Sequence, residues 1–346
     1  MRRRARSSGP GWRPVMEMRW RKNTKEGVVN ALLSPHRRTI WVAWLVAALL
    51  FLAVGNGLIY GLIVPLSAGL LVLLAPGVVS SAGRHVDGRD IRTVLLLYVG
   101  VVIALYLAFQ VFTVERTLWL FLCYAAGLIL GVVGPVIYTV WRRGRPLADL
   151  GLTRKNWRQA VGLGFVLGVI QFLLTLYGYD LPAPVDWVPL LTMSLMVGLF
   201  EAIFFRGFVQ TRLSASLGPI PGVVAAAALY ALYHVGYGMG LREMVFLFAL
   251  GMVYGIAYAC VNNVLVLWPL LIPLGSFYNS LQSGEIDLPW ASIAGFVDVM
   301  AIMFAAVWFA HRRERRDGPA TAGETAEAPP PGCETLSVRL SQAANG

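Results

Sequence analysis

Charge is what this 346-residue chain has least of. Only 14% of its residues are Asp, Glu, Lys or Arg, against roughly 25% in an ordinary soluble domain. Hydrophobic residues reach 57%. Together these exclude a soluble globular enzyme and indicate membrane helices. Cysteine is scarce as well: Cys123, Cys260 and Cys333 are the full set. No pair of them has metal-ligand spacing, so neither a disulfide framework nor a cysteine zinc site is supported. The N-terminus does not read as an ordinary signal peptide. Its basic region is too long, and the apolar run that follows offers no clear small-residue cleavage site.

The few charges are segregated. Residues 1–38 hold eleven Lys/Arg against two Glu, and 311–316 reads HRRERR. The net charge of +11 therefore reads as membrane topology and contact with anionic lipid, and no nucleic-acid partner is expected. A span needs about 20 apolar residues. Candidate spans are 39–54, 57–79, 93–113, 117–141, 159–179, 187–205, 218–235, 243–261, 263–282 and 289–310. The expected fold is all-α, a polytopic transmembrane helix bundle of about eight to ten spans. The first two candidates, parted only by Gly55-Asn56, form either a tight helical pair or one span plus a re-entrant piece.

Lys and Arg concentrate in 80–92, 142–158, 206–217 and the C-terminal tail. Asp180, Asp186, Glu285 and Asp287 lie in the alternate loops, where Arg116 and Arg242 are the only basic residues. The bias places both termini in the cytoplasm of a multi-pass cell-membrane protein. The chain then divides into a basic arm (1–38), front helices (39–141), a basic linker (142–158), a helical core (159–310) and a disordered tail (311–346). The linker, RRGRPLADLGLTRKNWR, is broken by Pro146, and Thr153 or Asn156 offers a cap for the next helix. The tail is too poor in apolar residues to pack.

Inside the spans the ionisable groups are Glu201, His234 and Asp298, with Arg206 near a membrane edge. A charge at the bilayer centre costs about 2.5–3.5 kcal/mol on insertion scales, so these residues need a purpose. Glu201 in LFEAIFFRG can act as a general base on water or join a structural ion pair. Five residues turn an α-helix by about 140° from Glu201 to Arg206, so the two are not expected to share a face closely. His234 in ALYALYHVGYG can bind a metal or bond to another helix, with Tyr230 one turn earlier on its face. Asn279 in GSFYNSL can glue helices. Asn262 and Asn263 are expected at a solvated boundary. Asp298 can be a proton relay, a partner for Arg206 or a boundary residue.

Glu201-xxxx-Arg206-Gly207, then Tyr230-xxx-His234, then Leu267-Trp268-Pro269 with Asn279, resembles the CPBP family of intramembrane proteases. It includes CAAX-type prenyl endopeptidases and bacteriocin-processing or immunity proteins. LADLGLTRKNW is similar to the segment that commonly precedes that family's core, and the resemblance covers roughly residues 146–282. It implies a membrane metalloendopeptidase that hydrolyses a peptide or lipidated protein substrate at the membrane. Glu201 would activate water, and His234 would bind metal or polarise the scissile carbonyl. Asn279 would help hold the oxyanion, and Arg206 would position helix or substrate. A divalent metal, zinc being the expected ion, would sit on His234 and Glu201.

Two departures accompany the likeness. The family's EExxxR has Ala202 as its second residue here, so Arg206 lacks the carboxylate one turn before it. The third motif lacks its histidine, whose place falls on Gly275 or Leu274. A catalytic zinc takes three protein ligands and a water, and asparagine is a poor ligand. A catalytically inactive relative, acting as a membrane binding, immunity or scaffold protein, is therefore the alternative. A proton-coupled transporter using Glu201 or Asp298 is a third reading, without inverted repeats to support it.

Overall fold

The computed structural model describes residues 35–55, 58–74, 86, 88–112, 116–153, 157–177, 181, 183–268, 271–283 and 288–316. The basic arm up to residue 34, the tail from residue 317, and the loop charges Asp180, Glu285 and Asp287 lie outside these described residues. The described chain is helical and carries no strand. Helices α1 (Pro35–Val54) and α2 (Leu58–Leu74) form the tight pair. Phe51 of α1 meets Tyr60 of α2 at 5.8 Å between ring centroids. Then come α3 (Gly88–Val111), α4 (116–142), α5 (Trp157–Thr175), α6 (184–217), α7 (Pro219–Tyr237), α8 (Leu241–Val261), α9 (Leu271–Ser283) and α10 (Ser292–Arg316).

Six of these, α3, α4, α6, α7, α8 and α10, are long and apolar enough to cross a membrane. Three shorter apolar helices fall in α1, α2 and α5, so the described residues give a polytopic bundle with six spans by length and composition, fewer than the eight to ten expected. Side chains such as Leu96 (73% exposed), Leu173 (63%) and Phe309 (58%) point outward. Outward apolar side chains with all backbone bonds kept inside helices are what a bilayer solvent requires.

Three stretches depart from the sequence reading. Residues 206–217, expected as an inner loop, continue helix α6, and Arg206 and Arg212 are both 2% exposed. Their charge is taken up inside the protein. Arg212 donates to Thr139 Oγ1 at 2.7 Å and to the Phe208 carbonyl at 3.2 Å, and stacks on the Phe208 ring. The span expected over 263–282 is broken. A single 3-10 turn, Val264–Val266, precedes the 13-residue α9, which is too short to cross alone. Asn263 starts that turn: its Oδ1 accepts the Leu265 amide at 3.0 Å, and the side chain is buried, not solvated. Finally, α10 runs through 311–316, so those six residues are helix and not tail.

The motif glycine has a packing reason. The linker folds into a 3-10 turn, Leu147–Leu150, that presses on α6 at Gly207. A Cβ on Gly207 would collide with the Leu150 carbonyl oxygen. Backbone on both sides leaves nothing to rotate away. Gly207→Ala is expected to destabilise the protein by about 3 kcal/mol, the upper range for overpacking. Thermal unfolding in detergent measures it, and an unchanged midpoint would contradict this contact.

Candidate active site

The charges selected from sequence meet because α6 changes its winding. It is α-helical over Pro184–Glu201 and π-helical over Ala202–Gln210. An α-helix would have set residues 201 and 206 on different faces. Hydrogen bonding from i to i+5 brings residues five apart into near register, and both side chains line one cavity. The sequence expectation of separate faces is corrected by this winding.

Arg206 replaces the carboxylate it lacks at Ala202 by other partners. Its Nη1 donates to Gln210 Oε1 at 3.3 Å, one turn onward. The guanidinium also lies over the Tyr230 ring, 5.2 Å from its centroid, where a cation is attracted to the π face. Gln210 in turn donates Nε2–H to the Gly255 carbonyl at 2.7 Å, fastening α6 to α8.

Glu201 is buried, and both its oxygens are held. Tyr233 OH donates to Oε1 at 2.5 Å and Tyr230 OH to Oε2 at 3.3 Å. Hydrogen bonds to an ionised acceptor are stronger than neutral ones, so the two phenols fix the carboxyl against α7. His234 follows on the same helix, in its 3-10 end Tyr233–Tyr237. Its Nδ1–H donates to the Tyr230 carbonyl at 2.9 Å. In the neutral ring Nε2 then carries the free lone pair.

The cavity measures about 80 Å³, the space of a few waters at about 30 Å³ each. Glu201, Arg206, Tyr230, His234 and Tyr254 form its polar wall, with Met239, Phe246, Leu250 and Ile272 as its apolar one. Gly275 and Ser276 of α9 complete it. Of the two positions left open for the missing histidine, Gly275 is the one on this cavity. Leu274 lines a second, smaller cavity beside Gln171 and Phe277. Asn279 follows Gly275 by one turn of α9, and its side chain lies outside the described residues. Asp298 is exposed on α10 and takes no part in the cavity.

Tyr233, Gln210 and Tyr254 escaped the sequence reading. Tyr233 carried a signal, since Tyr230, Tyr233 and Tyr237 repeat at helical spacing around His234. Gln210 carried another, as an amide one turn after an intramembrane arginine. Tyr254, whose hydroxyl donates to the Leu271 carbonyl at 3.0 Å, carried none.

The described donors do not fit a catalytic zinc. No group of three His, Cys, Asp or Glu that could hold a metal occurs among the described residues. Glu201 and His234 supply two donors, and the third position is a glycine. Three protein ligands are the rule.

Residues 183–271 match the family model for type II CAAX prenyl endopeptidases, Rce1-like. The match takes in Glu201, Arg206, Tyr230 and His234 and stops short of Gly275. The chain matches no curated protein and no solved structure. The motif order, the cavity joining those motifs and the family match agree that the central segment of this multi-pass helical protein is similar to the core of the Rce1-like, CAAX-protease (CPBP) type.

Proposed function

We propose that the protein is a membrane-embedded endopeptidase of the CAAX-protease type, hydrolysing a peptide bond in a membrane-associated substrate. The observation that carries this reading is the convergence of Glu201, Arg206 and His234 on one small, water-sized cavity inside an apolar bundle. Three ionisable side chains gathered there are costly unless they serve chemistry.

Glu201 accepts a proton from a cavity water, and the water oxygen attacks the scissile carbonyl carbon. His234 Nε2 accepts a hydrogen bond from the other proton of that water and orients it. Arg206 faces the same cavity, and its charge offsets the oxyanion in a low-dielectric site. Glu201 then returns its proton to the amine nitrogen as the C–N bond breaks. No step is routed through a metal, because the described donors do not fit one. The proposed roles of Glu201, His234 and Arg206 follow from this scheme. Asn279, one turn beyond Gly275, remains the proposed oxyanion donor, and membrane lipid is the proposed surroundings.

Ala202 and Gly275 favour a second reading, a relative that keeps the fold and binds a peptide without cutting it. One experiment separates the two. Purified protein in detergent is given a membrane-proximal peptide library, and products are read by mass spectrometry. The peptidase reading expects cleavage by the native chain and its loss in His234→Ala. Cleavage that survives His234→Ala would end the proposed mechanism, and binding without cleavage would establish the second reading.

A further inference from the structure

We infer that the cavity is reached from the side of the bundle opposite its arginine-rich end. The substrate class is then a peptide segment of an exported or membrane-anchored protein, presented at the outer surface. This rests on the peptidase reading for the word substrate, and on geometry alone for the address of the site.

The two ends of the bundle are fixed by contacts. At one end Asp90, in the first turn of α3, pairs with Arg143 and Arg145 just beyond α4, each at 3.2 Å. Arg313 of α10 lies 5.6 Å from the Trp141 ring centroid, and Glu314 accepts the Leu147 amide. Arg212 reaches Thr139 in the same region. Exposed Arg89, Arg92, Arg142, Arg312, Arg315 and Arg316 surround these contacts.

At the other end, Phe109 of α3 meets Tyr237 at 4.8 Å and Trp119 of α4 at 5.5 Å. Gly238 packs on Gln110. Only Arg116 and Arg242 are basic there. The Lys/Arg bias of short loops marks the cytoplasmic side, so this second end is the outer one.

The cavity belongs to that outer end. Met239, in the turn between α7 and α8, is part of its wall and partly exposed. Glu201 is held by Tyr233, five residues before Gly238. At about 2 Å of rise per residue in a 3-10 segment, that is roughly 10 Å from the turn. The whole of Pro219–Tyr237 rises about 28 Å, close to the 30 Å of a bilayer core. Tyr230 and Tyr233 both hold the carboxylate, so it lies nearer the outer end of α7 than the inner one. The cavity is also far smaller than the roughly 300 Å³ at which ligand pockets begin. It has room for water and a reacting carbonyl.

Accessibility labelling in intact cells tests the address without any activity. Two single-reporter proteins share Cys123→Ala, with Cys260 buried in both. One retains Cys333. The other carries Cys333→Ala and Leu241→Cys, at the first residue of α8, which is 75% exposed. A membrane-impermeant maleimide is expected to label Leu241→Cys in intact cells, at least tenfold faster than Cys333. Cys333 should react only after permeabilisation. Labelling of Leu241→Cys only after permeabilisation, or in neither state, would overturn the inference. Outward labelling with no detectable peptidase activity would remove the peptidase reading and leave the address standing.

Discussion

Glu201→Gln is expected to lower the turnover of a cleaved peptide by about 10²–10⁴-fold, the usual contribution of a positioned general base. The change is nearly isosteric and removes the lone pair that takes the water proton. KM should move little, because the amide keeps the volume of the cavity wall. The fold should also persist. Glu201 is bound to Tyr230 and Tyr233, and Arg206 to Gln210 and the Tyr230 ring, so removing the carboxylate strands no direct partner of Arg206. An amide oxygen can still accept from one phenol, and its NH₂ can donate to the other. Turnover within a few-fold of the native chain would sink the assignment of Glu201 as base. A large fall in the thermal midpoint would instead make it a structural residue.

The residues behind that prediction are legible in the amino-acid sequence. Glu201, Arg206 and His234 stand out because charge in an apolar helix is expensive, and an apolar run interrupted by a charge shows the expense directly. The polytopic helical character was legible for the same reason, since hydropathy over about 20 residues is a direct readout of the bilayer's thickness. What was not legible is how the local backbone departs from regular geometry. The π winding of Ala202–Gln210 decides whether positions 201 and 206 share a face, and nothing in AIFFRGFVQ announces it. Arg206 and Arg212 read as loop charges because an arginine ordinarily marks a membrane boundary. Partners distant in sequence, Tyr230 and Thr139, are what let the helix keep them buried. Asn263 was misplaced for a related reason. Its side chain bonds its own backbone two residues on, so it needs no solvent.

Gly275→His is expected to convert a site that holds little zinc into one that holds about one ion per chain. The native cavity offers Glu201 and the Nε2 of His234, one ligand short of the three a catalytic zinc takes. Gly275 stands on the same cavity, at one of the two positions where the resemblance would put the third-motif histidine. The obstacle is local. A Cβ at 275 would meet the Tyr60 hydroxyl at 3.3 Å, and Tyr60 is itself stacked on Tyr278 at 4.3 Å. The imidazole therefore needs the room that Tyr60→Phe provides by deleting that oxygen, and the double variant is the one to measure. Metal analysis after purification with zinc present should give far less than one ion in the native chain and in Tyr60→Phe alone. The double variant should approach one, and His234→Ala added to it should lose the ion again, which shows that the metal sits at this cavity. Stoichiometric zinc in the native chain, removed by a chelator together with cleavage, would contradict the two-donor account. The metal-free proton path through Glu201 would then have to be abandoned.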